Sequence, residues 1–251
     1  MILIGTSGWQ YKDWRGRFYP TGLPQRLWLE HYAQRYATVE VNNAFYRLPE
    51  RDTFAQWRDR TPADFVVVVK ISRYLTHIKR LREPAEPVSR FLERAAGLGD
   101  KLGPVLLQLP PTMRADAAAL DATLALFPPH VRVAVEPRHP SWWTGEVRAV
   151  LERRRAALCW ADRDSRPVAP LWRTTDFGYL RLHTGRAKPW PRYGRGALGS
   201  WLDRIAAEYA DGAPASVFFN NDPGGAAIID ADAMATMARR RGLPITRAAA
   251  E

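Results

Sequence analysis

Short apolar runs recur along the chain at intervals of about 30 residues, and segments with a helical spacing of apolar side chains separate them. Several runs, such as residues 65–69, are continuously apolar, which is typical of strands buried on both faces of a parallel sheet. The alternation predicts eight strands separated by helices. Their expected limits are residues 2–7, 38–42, 65–70, 105–109, 131–136, 157–161, 179–183 and 216–220.

Apolar side chains three and four residues apart predict the helices between these strands. The clearest stripes are Val88, Phe91, Leu92 and Ala95; Leu120, Leu124 and Phe127; and Leu198, Trp201, Leu202 and Ile205. Thr53 and Gln56 resemble a capping box that opens another short helix. Residues 163–176 contain two prolines and no helical period, so we expect an irregular connection there.

Eight strand–helix units in 251 residues match a (β/α)₈ TIM barrel, an α/β fold forming one domain over residues 1–251. A doubly wound sheet is the alternative. It normally has a glycine-rich phosphate loop after its first strand, but residues 5–9 lack the spacing of a dinucleotide fingerprint and the lysine of a P-loop. We expect residues 243–251 to form a frayed tail and leave open whether it docks.

Composition narrows the class of protein. The chain is 46% hydrophobic and 25% charged, which is ordinary for a globular domain. One cysteine, Cys159, excludes a disulfide framework and a multi-cysteine metal centre. No apolar run approaches the ~20 residues that span a bilayer, and the first residues do not resemble a secretion signal. We therefore expect a cytoplasmic protein without a membrane partner.

The chain carries 37 basic and 26 acidic residues, a formal net charge of +11. Only five of the basic residues are lysines, and a bias toward arginine can reflect genome composition. The excess is spread along the chain, so it does not by itself indicate a nucleic-acid interface. It does favour anionic partners, either a small molecule or a nucleic acid. The oligomeric state is left open.

Polar and aromatic residues gather at the predicted carboxyl ends of the strands, where TIM-barrel enzymes have their active sites. Aromatic faces beside Arg and Lys suit a planar base or a sugar attached to phosphate. The alternative is that the aromatic rings only roof the barrel. The candidate ligand-binding residues are Ser7, Trp9, Tyr11, Asn42, Tyr46, Arg47, Lys70, Gln108, Arg138, Trp142, Trp160, Asp162, Arg181, Arg186, Asn220, Asn221 and Asp222.

Two carboxylates are the first catalytic candidates. Glu40 and Glu136 end different strands, and a pair of carboxylates can act as acid and base or bind a metal. The structural alternative is that an arginine such as Arg47, Arg138 or Arg181 holds each of them in an ion pair.

The other catalytic candidates are His77 and His183, because imidazole titrates near neutral pH. Alternatively, each histidine is a hydrogen-bonded structural group. Residues 184–196 alternate basic and aromatic side chains with glycines, which favours a mobile lid over an anionic ligand.

No cofactor is predicted, and a divalent metal is only a minor alternative. The chain has no compact ligand motif, and Lys70, Arg138 and Arg181 would compete for the carboxylates. A metal would need three or more ligands from Glu40, His77, Glu136, Asp162, His183 and Asp222.

The strand-end motifs resemble those of the DUF72 family, also called YecE-like proteins. The resemblance spans residue 2 to about 240 and implies a TIM barrel, but it implies no particular reaction. One departure is visible, since Thr184 separates His183 from Gly185. The shared motifs are Gly5-Thr6-Ser7-Gly8-Trp9, Thr38-Val39-Glu40-Val41-Asn42 with Phe45-Tyr46-Arg47, Thr76-His77, Gln108-Leu109-Pro110-Pro111, Glu136-Pro137-Arg138-His139-Pro140-Ser141-Trp142, Arg181-Leu182-His183 and Phe219-Asn220-Asn221-Asp222.

Three functions are compatible with these residues. The first is a hydrolase-like enzyme for a phosphate-bearing or nucleotide-like ligand, with carboxylate acid/base groups and a clamp of Lys70, Arg138 and Arg181. The second is a glycosidase-like enzyme that uses Glu40 and Glu136 as a pair. The third is a non-catalytic module that binds an anion or a nucleic acid.

Overall fold

The computed structural model of the protein describes residues 1–248. Strands and helices alternate through this range, as the hydrophobic pattern predicts. The strands are β1 (Ile2–Thr6), β2 (Thr38–Val41), β3 (Val66–Lys70), β4 (Leu102–Gln108), β5 (Val133–Glu136), β6 (Ala157–Leu158), β7 (Trp160–Arg163), β8 (Arg166–Pro167), β9 (Gly178–Leu182) and β10 (Ala215–Phe219). The α-helices are α1 (Trp28–Arg35), α2 (Asn43–Tyr46), α3 (Arg51–Asp59), α4 (Ala85–Ala95), α5 (Ala117–Leu124), α6 (Gly145–Arg153), α7 (Arg195–Glu208) and α8 (Ala226–Arg240).

The strands form two five-stranded sheets in a mixed α/β fold. Their orders are β1-β10-β9-β7-β8 and β2-β3-β4-β5-β6. Neighbouring strands are parallel except for β7 and β8, which form an antiparallel hairpin. A single parallel bridge between Ser7 and Glu40 joins the ends of β1 and β2. On the other side, only Cys159 separates β6 from β7 along the chain.

The predicted sixth strand is divided, and the connection after it is partly ordered. Asp164 and Ser165 have positive φ angles of 54° and 59°, and they form the two-residue turn between β7 and β8. Positive φ at both turn residues matches the twist of a hairpin. The two prolines and the lack of a helical period in residues 163–176 predict an irregular connection, and the Asp-Ser pair is too weak a turn signal to indicate the hairpin. No helix forms there, so that expectation is wrong only for the hairpin.

The apolar stripes lie on α4, α5 and α7, although Phe127 follows the last residue of α5. The predicted capping box is wrong. Helix α3 begins at Arg51 with Glu50 as its N-cap, so Thr53 and Gln56 lie inside the helix. The backbone after Pro49 enters the helix two residues before Thr53, and Thr53 N donates to Glu50 O at 3.0 Å.

Alternation along the strands divides the core into two clusters. The larger cluster packs the outer faces of the strands against the helices. The inner cluster consists of Val68, Leu106, Ala134, Ala157, Cys159, Phe177, Tyr179 and Phe218. Because side chains alternate with period two, the residue two positions after an inner residue faces the same side. This geometry fixes which strand-end residues meet.

The chain after α8 returns to the amino ends of the first two strands. Ile2 N donates to Pro244 O at 2.8 Å, and Ala37 N donates to Arg247 O at 2.8 Å. Ala248 is buried. The frayed tail expected from residue 243 is therefore docked as far as residue 248, because its backbone satisfies amides at the strand ends. Residues 249–251 lie outside the described range.

A bilayer-spanning helix would have to be long and apolar, and none of the helices in residues 1–248 meets both conditions.

Candidate functional site

Five polar side chains continue the inner cluster at the carboxyl ends of the strands: Lys70, Gln108, Glu136, Arg181 and His183. Each lies two or four residues after an inner apolar residue of its own strand. Register reinforces the grouping, since Gln108 pairs with Glu136 across β4 and β5. All five were predicted site residues, and the structure brings them together.

Glu40 lies at the base of this group, with 0% of its surface exposed. Its Oε1 accepts from Ser7 Oγ at 2.7 Å and from Arg181 Nη2 at 2.8 Å, while its Oε2 accepts from the Tyr179 hydroxyl at 2.5 Å. A buried carboxylate with three donors is fully compensated. Tyr179 was missed by the sequence analysis because it lies inside β9 rather than at its end.

Arg181 bridges the two glutamates. Its Nη1 donates to Glu136 Oε2 at 2.7 Å, and its Nη2 donates to Glu40. Burial by itself raises the pKa of Glu136, but Arg181 and then His183 outweigh burial and hold that pKa well below its ordinary value. Arg181 thus forms the ion pairs that the structural alternative expects of the two glutamates. Arg47, by contrast, is exposed.

Lys70 is linked to Glu136 through an amide. Its Nζ donates to Gln108 Oε1 at 2.7 Å, and Gln108 Nε2 donates to Glu136 Oε2 at 2.8 Å. The ammonium also lies 4.0 Å from the ring centroid of Phe45. Burial, and then the charge of Arg181, lowers the pKa of Lys70 to about 8.

His183 contacts the free side of Glu136. Its Nε2 lies 2.9 Å from Glu136 Oε1, and its Nδ1 lies 3.1 Å from Asn220 Nδ2. With the amide nitrogen of Asn220 donating to Nδ1, the imidazole hydrogen is on Nε2 and points at Glu136. Carboxylate and imidazole therefore form an oriented dyad whose lone pair is on the side of Asn220.

His77 and Arg138 lie on the outer side of this group. Arg138 Nε is 3.8 Å from Glu136 Oε1, and 29% of the Arg138 side chain is exposed. The ring of His77 packs edge-on against Phe45 with centroids 4.9 Å apart. Burial and then the charge of Lys70 lower the pKa of His77 to about 4. His77 is therefore a neutral imidazole in a cationic environment at neutral pH.

The loops after β1 and β10 add a second set of acceptors. The Tyr11 hydroxyl donates to Ser7 O. Burial raises the pKa of the adjacent Asp222 to about 7. Asp222 Oδ1 and Asn42 Oδ1 are buried and have no hydrogen-bond partner among residues 1–248. Asn42 lines a cavity of about 80 Å³ together with Gly8 to Tyr11.

Several aromatic candidates are buried in the core, although Trp9 also lines the cavity beside Asn42. Trp9 packs at right angles to Trp57. Trp142 Nε1 donates to Met113 O at 2.8 Å, and Trp160 Nε1 donates to Trp172 O at 3.1 Å. All three predicted ligand-binding tryptophans are buried. Trp160 belongs to the larger cluster, because it directly follows the inner residue Cys159 and therefore faces the opposite side of the sheet. This core packing is what the structural alternative for these rings expects.

Asp162 is also structural, for the same reason of phase. Its Oδ1 accepts from the Tyr193 hydroxyl at 2.8 Å, and its Oδ2 accepts from Trp201 Nε1 at 2.8 Å. Burial raises the pKa of Asp162. Both oxygens of this buried side chain therefore have a partner in the protein, which favours a structural role for Asp162.

The predicted lid is anchored at its distal end, and the residue that anchors it was missed. Asp230 of α8 is buried, and its Oδ2 accepts from Tyr193 N and from Asn221 Nδ2, both at 2.8 Å. Arg186 Nε donates to Asp164 O at 2.8 Å, away from the site. Residues 195 and 196 are already helical in α7. Tyr46 stays in solvent with 73% of its surface exposed.

Oxygen and nitrogen ligands are not grouped as a metal site requires. Among residues 1–248, no three His, Cys, Asp or Glu side chains form a cluster that could hold an ion. Of the six possible ligands, Glu40, Glu136 and His183 lie in the Arg181 network, Asp162 contacts Tyr193, Asp222 lies in the loop after β10, and His77 packs against Phe45.

A family model matches almost the whole chain, from residue 3 to residue 250; its description is "Protein of unknown function DUF72". The chain belongs to the DUF72 family. The "UPF0759 protein YecE" of Escherichia coli O157:H7 and that of strain K12 are each 32% identical over 172 residues. The aligned stretch covers 67% of this chain and 61% of each relative.

Solved structures of DUF72 proteins have the same fold. A DUF72 family protein from Thermotoga maritima superposes with a TM-score of 0.84 at 26% identity, covering 95% of this chain and 99% of that one. One from Enterococcus faecalis gives a TM-score of 0.80 at 21% identity, covering 95% and 96%. The family assignment therefore agrees with the architecture and leaves the activity to be argued from the site.

Proposed function

We propose that this DUF72 protein is an enzyme of hydrolase type that acts on a phosphate-bearing ligand at the carboxyl ends of its parallel strands. We infer further that the two sheets close into one eight-stranded TIM barrel. The bridge between Ser7 and Glu40 and the continuity of β6 with β7 support closure.

The observation that carries the proposal is the charge of the site. The charge of Arg181 is compensated by its ion pairs with Glu40 and Glu136. Lys70, by contrast, has no carboxylate within ion-pair distance among the described residues. Arg138 is 3.8 Å from an already compensated glutamate. Three cations facing two carboxylates leave a positive excess, and a buried cation is costly unless an anion balances it. A phosphate group supplies that anion.

The Glu136–His183 dyad supplies proton transfer. Glu136 fixes the hydrogen of His183 on Nε2, so Nδ1 is the basic nitrogen. Displacement of Asn220 from Nδ1 by a ligand exposes this nitrogen to water or to a leaving oxygen. His183 is then the general base, Glu136 orients it, and Lys70 with Arg138 hold the phosphoryl oxygens. General acid–base catalysis of this kind contributes about 10²- to 10⁴-fold to a rate.

The glycosidase-like alternative loses support at Glu40. That reaction needs two carboxylates that reach the sugar from opposite sides of the scissile bond. Glu40 is fully buried, and Ser7, Tyr179 and Arg181 occupy its oxygens. Of the two glutamates, only Glu136 has a neighbour with exposed surface, the partly exposed Arg138.

Sulfate binding tests the anion site, because sulfate keeps its double charge across the pH range. Lys70 is charged below its pKa of about 8 and neutral above it, so affinity should fall as pH rises from 7 to 10. Lys70→Gln should weaken binding by about 10- to 100-fold, since a charge-assisted hydrogen bond contributes about 1.5–3 kcal/mol. Lys79→Gln is the control, because Lys79 pairs with Glu83 outside the site.

Turnover is measured separately with p-nitrophenyl phosphate and its diester. His183→Ala should lose hydrolysis while retaining sulfate binding. Stabilisation by neutral sugars but not by sulfate would refute the anion site. Sulfate binding without turnover of any phosphate ester would instead support a non-catalytic module for a small anion or a nucleic acid.

A further inference from the structure

Lys70 has an environment that anion binding alone does not require. The amine is 8% exposed and uses one of its three N–H donors, on Gln108 Oε1. Its other close neighbour is the ring of Phe45, and among residues 1–248 no carboxylate lies within ion-pair distance of its Nζ. Arginine holds phosphate better than lysine does, since its planar fork binds two oxygens at once. The site uses a lysine here beside two arginines.

The charges around Lys70 favour its neutral form. Burial acts first, and the positive charges of Arg181 and Arg138 add to it. A lysine that is desolvated beside other cations is the usual form of a nucleophilic amine, because a larger fraction of it carries a free lone pair. At the lowered pKa of about 8, a substantial minority of Lys70 is neutral at physiological pH.

We propose that Lys70 forms an imine with the carbonyl group of a phosphorylated aldehyde or ketone. This inference rests on the proposed function for the phosphate subsite, and it names the substrate class of that site. For such a substrate Arg138 at the rim would hold the phosphate, and Lys70, which contacts phosphoryl oxygens in the proposed ester hydrolysis, would instead meet the carbonyl carbon with its Nζ.

The condensation needs no oxidant, reductant or second substrate. The lone pair of Nζ attacks the carbonyl carbon, a C–N bond forms, and the carbonyl π electrons move to oxygen. The oxygen takes a proton and the nitrogen loses one, giving a carbinolamine. Its hydroxyl group takes a second proton, the nitrogen lone pair forms the C=N bond as the C–O bond breaks and water leaves, and loss of the remaining N–H proton gives the neutral imine.

Two imidazoles are available for these proton transfers. His77 packs on the same Phe45 ring as Lys70 and is neutral above a pH of about 4. His183 is held against Glu136 on the other side. Once the imine has formed, it withdraws electrons from the adjacent carbon, so the dyad can remove a proton from that carbon.

Borohydride trapping with pyridoxal 5′-phosphate tests the inference. This probe carries both an aldehyde and a phosphate, and reduction converts an imine into a stable amine at an identifiable lysine. The chain has only five lysines, so peptide mass mapping assigns every adduct. At pH 8 we expect Lys70 to be modified at least tenfold faster than the exposed Lys188 and Lys12, and excess sulfate to slow only the Lys70 reaction.

Lys70→Arg separates charge from nucleophilicity. The variant keeps the cation, so it should bind sulfate with a dissociation constant within about fivefold of the wild type while losing the fast adduct. Lys188→Arg is the matched control and should keep it. Wild-type protein that binds sulfate but is modified equally at all lysines would overturn the imine and leave the proposed function standing. Absence of both sulfate binding and Lys70 modification would overturn both.

Discussion

At the scale of single residues, the site depends on one guanidinium that serves two carboxylates. Arg181 donates to Glu40 and to Glu136 from its two terminal nitrogens, and all three side chains are buried. The two oxygens of Glu136 therefore have different partners. It compensates a buried arginine on one oxygen, and it orients His183 on the other.

Replacing Arg181 by methionine should destabilise the protein strongly. Two buried carboxylates would lose their shared cation, and breaking a buried pair costs about 3–5 kcal/mol. Urea denaturation at pH 7 measures the loss. The difference in unfolding free energy between the wild type and the variant should shrink as pH falls. Without Arg181 the pKa of Glu136 rises toward its ordinary value, so the carboxyl group is protonated at a higher pH than in the wild type. Arg138→Met is the control and should cost under about 1 kcal/mol, since its guanidinium is partly exposed and 3.8 Å from Glu136. Equal effects of the two variants would contradict this network.

Position at a strand end identified most of the group, because the carboxyl ends of parallel strands lie together. It did not resolve which face each residue occupies. Glu136 and Arg181 are in phase with the inner cluster, whereas Trp160 and Asp162 are out of phase and pack outward. Phase is readable from sequence only where an apolar run alternates. The continuously apolar strands of a doubly buried sheet remove that signal.

At the scale of elements, the connection between β9 and α7 illustrates a contact that local patterns cannot reveal. Its glycines and charges suggest a mobile lid, but Tyr193 is fixed by Asp162 and Asp230 from elements 31 and 37 residues away. Asp230 lies in α8, and the sequence pattern of this helix does not mark the residue as a long-range contact. Long-range hydrogen bonds to a buried carboxylate leave no periodic trace in the sequence.

Asp230→Asn should release this connection. In the native protein Tyr193 N and Asn221 Nδ2 donate to Oδ2, and Arg192 Nε donates to Oδ1. An amide keeps only one acceptor oxygen and loses the negative charge, so its NH2 group must face a donor at one of these two positions. Hydrogen exchange should then accelerate at least tenfold at Gly185 and Tyr193, while amides within α7 stay protected. Asp203→Asn carries the same change on the exposed face of α7 and should leave these rates unaltered. Unchanged exchange in the Asp230 variant would mean that Asp162 alone holds the connection.

At the scale of the whole molecule, the repeating β–α pattern predicted the number and order of the main strands. It predicted neither the break at Cys159 nor the path of the last residues. That segment contains Pro244 and little periodicity, so it resembles a tail. Its role follows from backbone groups at the amino ends of β1 and β2, which need partners whatever side chains are nearby.

Truncation after Gly242 should therefore destabilise the whole fold. The loss removes the acceptors of Ile2 N and Ala37 N, the amide of Thr246 that donates to Ile2 O at 3.0 Å, and a bridge between Ile2 and Ile245. Three backbone hydrogen bonds at about 1 kcal/mol each imply a loss of about 3 kcal/mol in the free energy of unfolding, before burial is counted. Thr246→Ala is the control: it keeps the backbone pairing and removes a buried hydroxyl that has no partner, so its stability should be unchanged or higher. If the truncated chain is as stable as the full chain, residues 243–251 do not contribute to stability, as expected of a frayed tail.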